Sequence, residues 1–209
     1  MIEINLHKLE EKGTKKEWKT VTRGGTTFRQ RFRTGRKDTT NSISDFEAKI
    51  KDQDYETSGV FDDSGKLIFE KNGEKDNVKF TKEEIDKFEG MTLTHNHPQG
   101  DSFSPMDLKF ACASKMKAIR VTCRGNDKSF ILRTKDGANF KPELWDDNQE
   151  TGVEGLGFIV STYDDDVRGD FRARIYDGRM TVAEAEGSHW EEVWKRVTEV
   201  DDRIICEEV

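Results

Sequence analysis

With 209 residues the chain is sized for one full core with an extension rather than two independent domains. Hydrophobic residues make up 33% and charged ones 37%, which concentrates the apolar content in a small centre under a broad charged surface. A formal net charge of −7 excludes indiscriminate binding to nucleic acid or an anionic membrane through the whole surface, so only a local basic segment can carry such contacts.

The first residues, from Met1 to Lys8, are too polar for a signal peptide, and no apolar run approaches the roughly 20 residues that cross a bilayer. From Lys12 to Lys37 there are ten Lys or Arg against one acid, Glu17, with Trp18, Val21, Phe28 and Phe32 interleaved. Gly24 and Gly25 separate two Thr- and aromatic-rich runs, which predicts a hairpin with one aromatic and one cationic face. Its plain role is to pack aromatics under a solvated face. Arg29, Arg31 and Arg33 alternate with Phe28, Gln30 and Phe32, so the three arginines share a face that suits phosphates or an acidic partner.

Ile43, Phe46 and Ile50 at helical spacing after Ser42 predict a short amphipathic helix. A hairpin follows, from Tyr55 to Phe61, through the turn Asp62 to Gly65, and back along Lys66 to Phe69. Glu56 stands at the entrance of its first strand, where a carboxylate has no packing reason to be. Thr81 to Glu84 form a capping box for a helix that buries Ile85 and Phe88 and ends at Gly90. A strand from Met91 leads into His95 and His97, and a helix from Ser104 to about Met116 buries Leu108, Ala111 and Cys112. Ala118 to Cys123 alternates as a half-buried strand, turns at Arg124 to Asp127, and returns through Phe130 and Leu132. Beyond a soft joint at Asn139 to Gln149 the pattern turns helical. One long helix is expected from Val153 to Tyr176 and another after Thr181, with Trp190, Trp194 and Val197 on one side, before a short terminal strand at Ile204 to Cys206. These elements describe an α/β (α+β) domain with a mixed sheet, organised as a basic arm over 1–40, a core over 41–140 and a helical extension over 141–209. The three cysteines, Cys112, Cys123 and Cys206, have neither metal nor redox spacing and suggest reduced thiols in a cytoplasmic protein.

The chemistry concentrates between Thr94 and Asp107. An extended strand puts His95 and His97 on one face, so both imidazoles can reach one ion. Pro98 and Gly100 turn the chain, and Ser104 before Pro105 restarts it as a helix whose first turn carries Asp107. Two imidazoles and one carboxylate make a three-ligand set for Zn²⁺ with a fourth position open to water. Such a site also needs a general base and an oxyanion donor, for which Glu56 and Ser104 are the candidates. On spacing alone, Glu47 and Glu70 compete with Glu56, and Asp101 competes with Asp107. A His-x-His-Pro run or a Ser-Pro-x-Asp helix start is common without a metal; their combination is what points to one. His7 and His189 read as surface or structural residues.

Glu56 opening a strand, then His95-Asn96-His97-Pro98, then Ser104-Pro105-Met106-Asp107, resembles the JAB/MPN metalloenzyme family in its JAMM (MPN+) form. The resemblance covers roughly Tyr55 to Arg133. It implies a JAMM/MPN core of cytidine-deaminase-like fold, zinc on His95, His97 and Asp107, acid/base work by Glu56 and oxyanion stabilisation by Ser104. It further implies a metallopeptidase or isopeptidase acting on a protein or peptide substrate. The His-Asn-His-Pro run is also similar to the RadC branch and to JAMM domains of phage and mobile-element proteins. In that setting the alternative is a non-catalytic assembly or binding protein whose basic arm meets nucleic acid. This chain sets six residues, Pro98 to Phe103, between His97 and Ser104, one fewer than the family's usual pattern.

Overall fold

A computed structural model of the chain describes residues 42–125, 127–147 and 152–209, together with the backbone of three N-terminal strands. The chain divides into two units, Met1–Thr40 and Asn41–Val209. The first is a three-stranded antiparallel sheet of β1 (Leu6–Leu9), β2 (Lys16–Arg23) and β3 (Thr26–Arg33). Lys16, Trp18 and Thr20 stand opposite Arg33, Arg31 and Arg29 in the register. The turn expected at Gly24 and Gly25, and the side chain of His7, lie outside the described residues.

The second unit is built on a six-stranded mixed sheet in the order β5-β4-β6-β7-β8-β9. Its strands are β4 (Thr57–Phe61), β5 (Leu67–Asn72), β6 (Thr92–His97), β7 (Ala118–Cys123), β8 (Ser129–Thr134) and β9 (Ile204–Glu208). Only β6 and β7 pair in parallel; every other neighbour is antiparallel. Helix α1 (Ile43–Ile50) starts at Ser42, whose hydroxyl accepts the Asp45 N–H at 3.1 Å. It packs Phe46 and Ile50 against Phe61 on one face of the sheet. Gly59 permits that approach, because a Cβ there would lie 2.6 Å from the Phe46 ring. The adjacent Val60 points to the opposite face, as strand alternation requires, and joins the main core.

That core collects Leu93, Ile119, Val121 and Leu132 from the sheet with side chains from α3 (Pro105–Ala113), α4 (Leu156–Tyr176) and α5 (Val182–Val200). The capping box at Thr81 forms, but its helix, α2 (Lys82–Ile85), is a single turn. Helix α3 stops short of Met116 because Lys115 takes a left-handed φ of 50° and the Met116 N–H turns back to the Ala111 carbonyl. The helical end belongs to the same unit as the sheet. Leu156, Val160, Val193, Trp194 and Val197 are fully or almost fully buried in the shared core, and β9 completes the sheet beside β8. No described helix is long and apolar enough to cross a membrane.

On the α1 face of the sheet, Glu47 is 5% exposed. Its carboxylate accepts from Arg120 Nε at 2.7 Å, Arg120 Nη2 at 3.1 Å and the Thr94 hydroxyl at 2.8 Å. Thr94 and Arg120 are direct partners in the β6/β7 register, so one carboxylate ties α1 to both strands of the parallel pair. Glu47→Ala strands a shielded guanidinium and is expected to lower stability by about 3–5 kcal/mol. The midpoint of urea denaturation measures this.

Candidate metal centre

Strand β6 carries two kinds of polar side chain, sorted by its two-residue period. Thr94 and Asn96 face the α1 side, while His95 and His97 share the opposite face with the core residue Leu93. Both rings are buried, at 4% and 8% exposure. Their Nε2 atoms converge to 3.0 Å. The chain then turns at Gly100, whose φ of +83° and close approach to the Arg124 carbonyl leave no room for a side chain.

Ser104 restarts the chain as α3, and Asp107 in the first turn folds back on it. One carboxylate oxygen of Asp107 accepts from the Ser104 N–H at 2.7 Å and from the Ser104 hydroxyl at 2.8 Å. This half of a capping box fixes the direction of the carboxylate. Asp107 Oδ1 lies 3.2 Å from His95 Nε2, and Oδ2 lies 3.8 Å from His97 Nε2. Donors about 2.0–2.1 Å from a tetrahedrally held ion stand about 3.3 Å apart, so these separations straddle what one ion needs. His95, His97 and Asp107 can therefore hold a metal ion. The six-residue loop is long enough to return Asp107 to the histidines.

Asp101 has a different place from Asp107. Its carbonyl oxygen lies 3.0 Å and its carboxylate 3.2 Å from His97 Nδ1, the ring nitrogen turned away from the cluster. A proton held on Nδ1 leaves the Nε2 lone pair for an ion, the usual second partner of a ligating histidine. The Asp101 carbonyl also accepts from the Cys123 thiol at 3.0 Å, and burial pushes that thiol up to about 12. His95 has no such partner, since its Nδ1 is buried without a hydrogen bond.

Glu56 is half-buried and lines the same 440 Å³ cavity as His95, His97, Ser104 and Asp107. Its backbone continues the β4/β5 ladder: its N–H donates to the Glu74 carbonyl and its carbonyl accepts from the Gly73 N–H, both at 2.8 Å. Burial, reinforced by Asp107 and Asp76, lifts its carboxyl above the ordinary range against the pull of the two histidines. The competitors are engaged elsewhere, Glu47 with Arg120 and Glu70 with Lys49. His189 bonds Asp164 at 2.6 Å between α4 and α5, a structural contact. The Ser104 hydroxyl donates its one proton to Asp107, so the oxyanion role expected of it competes with orienting the carboxylate. Sequence reasoning missed the bond from Asp101 to His97; the four-residue spacing across the turn was its only signal.

Burial works to lower the His97 pKa, but Asp101, Asp107 and Glu56 outweigh it and carry it to about 9. For Asp107 burial works upward, and the histidines with the Ser104 hydroxyl hold the carboxyl far below its usual range. A raised histidine pKa means that the ion-free protein keeps this proton at neutral pH, while a ligand must be neutral. Metal uptake at pH 7 is therefore expected to release about one proton, with apparent affinity rising about tenfold per pH unit until it levels near the His97 pKa. Calorimetry in buffers of different ionisation enthalpy measures both, and Asp101→Asn should move the plateau to lower pH. No family model, curated protein or solved structure matches this chain.

Proposed function

We propose that the chain is a zinc-dependent metallopeptidase or isopeptidase of the JAMM type, hydrolysing an amide bond in a protein or peptide. The observation that carries this reading is the convergence of His95 Nε2, His97 Nε2 and the Asp107 carboxylate at the wall of a cavity that Glu56 also lines. Two imidazoles and a carboxylate with a fourth position open to the cavity suit a catalytic zinc better than a structural one. When bound, the ion lowers the pKa of a water towards about 7 and polarises the carbonyl.

The chain's own groups supply the rest. Glu56, with its carboxyl raised by burial, takes the water's proton and returns it to the leaving amine nitrogen. Asp101 holds the His97 ring in the ligating tautomer. Ser104 fixes Asp107 and lines the cavity, where its hydroxyl would exchange that bond for one to the developing oxyanion. Phe80, Phe110, Val78 and Met106 line an apolar side of the cavity against which the substrate chain lies. In this reading Glu56→Gln keeps about one zinc per chain and loses hydrolysis, whereas Asp107→Ala loses both. Zinc content by atomic absorption, beside peptide-bond cleavage assayed on a fluorescently labelled protein mixture, separates the two; full turnover in Glu56→Gln would refute its role.

A second reading concerns the N-terminal unit and makes the protein a nucleic-acid-associated assembly factor. Residues 1–40 hold eleven Lys or Arg against five acids, whereas 41–209 hold twenty-four against thirty-seven. In the β2/β3 register the positions of Arg29, Arg31 and Arg33 share a face with those of Thr20, Trp18 and Lys16. A cationic row around an aromatic suits a single strand, with phosphates on the arginines and a base on the tryptophan. The full chain should then bind a labelled oligothymidylate with an affinity that falls steeply with salt. Neutralising Arg29, Arg31 and Arg33 together should flatten that slope by about 2.

A further inference from the structure

We propose that Asn96, the residue between the two histidines, is the positioning residue that sets where Glu56 stands relative to the metal centre. This rests on the metallopeptidase reading of the site. The paired register of β4 and β6 ends at Ser58 opposite His95. One step further Thr57 would face Asn96, and two steps further Glu56 would face His97. There the ladder is replaced by a side chain. Asn96 Oδ1 accepts from the Thr57 N–H at 2.7 Å, and Asn96 Nδ2 donates to the Tyr55 carbonyl at 3.0 Å.

These two bonds hold the peptide groups on either side of Glu56. On the other flank the Glu56 N–H and carbonyl are bonded to Glu74 and Gly73. Four hydrogen bonds thus leave the backbone at position 56 no freedom, and two of them come from the tripeptide that carries both histidine ligands. Asn96 and Thr57 are completely buried, so water does not substitute for the bond between them.

The chemistry selects asparagine. A carboxamide offers a donor and an acceptor on one rigid plane, as the Tyr55 carbonyl and Thr57 N–H together demand; aspartate offers only acceptors, and a hydroxyl cannot span both. The insertion matters for reaction as well as stability. Directly paired residues in an antiparallel ladder stand about 4.5–5.5 Å apart at Cα, which would press a glutamate at position 56 onto His97 and towards direct ligation. Bridging the strands through a side chain instead holds the carboxylate in the cavity as a base beside the ion, with the fourth coordination position left for water.

The test needs no substrate. Wild-type protein and Asn96→Ala, each with and without Glu56→Gln, are loaded with cobalt(II), and the visible bands are compared. Asn96→Asp, which keeps the acceptor, serves where the alanine variant fails to fold. Glu56→Gln should shift the bands in the wild-type background and by a different amount in the Asn96 variant, larger where Glu56 falls onto the ion and smaller where it swings away, while both backgrounds bind about one cobalt. In parallel, the Thr57 amide should exchange with solvent about tenfold faster or more in Asn96→Ala, with the Val60 amide unchanged. An equal band shift in both backgrounds, or an unchanged Thr57 amide in Asn96→Ala, overturns the positioning role. A merely structural Asn96 would speed exchange and yet leave the two shifts equal. Wild-type protein that binds no cobalt overturns the metal reading together with this one, whereas binding with equal shifts overturns this one alone.

Discussion

Two parallel strands cannot be joined by a hairpin, and in this unit the one parallel pair, β6 with β7, dictates what surrounds it. The crossover must leave the carboxyl end of β6, cover one face of the sheet and come back to start β7. Helix α3 is that crossover, and its first turn falls beside the strand end it has just left. Asp107 reaches the histidines because the chain has no other short way to make the parallel pair. The capping interaction at Ser104 then turns a helix-start carboxylate into a directed one.

The same strand separates chemistry from support by alternation alone. On the α1 side its polar groups are matched, Thr94 with Glu47 and Asn96 with the Tyr55 to Thr57 backbone. On the cavity side they crowd, with two ring nitrogens 3.0 Å apart facing a carboxylate. Crowded ionisable groups in a shielded place are unfavourable unless a proton or an ion mediates among them. The raised His97 and the depressed Asp107 are the protein's answer when a proton does so.

Much of this was legible beforehand because it depends on local rules. The period of two put His95 and His97 together, and Ser104-Pro105 announced a helix start that had to carry Asp107 in its first turn. The element order up to β8 followed from alternation and caps. What was not legible depends on which residues meet across the fold. Asp101 and Asp107 are equivalent as letters, and only the fold shows that Asp101, in the loop, meets Nδ1 of His97 while Asp107, in the first turn of α3, meets Nε2 of both rings. Glu47 and Glu56 likewise separate only once α1 is seen to lie on the other face. The helical pattern after residue 141 predicted α4 and α5 but gave no sign that their side chains fill the same core as the sheet, since that depends on which faces meet.

Trp194 of α5 donates its indole N–H to the Phe103 carbonyl at 2.7 Å, and the two rings meet edge to face. Phe103 immediately precedes Ser104, so the last residue of the short loop is tied to the far end of the chain. The loop therefore cannot open without breaking a buried bond to a helix about ninety residues away in sequence. Thermodynamic linkage makes the tie run both ways: free energy gained by closing the cluster around an ion also resists the undocking of α5, and anything that loosens α5 weakens the grip on the ion. The C-terminal helix is in this sense a remote part of the ligand set, although it contributes no atom to it.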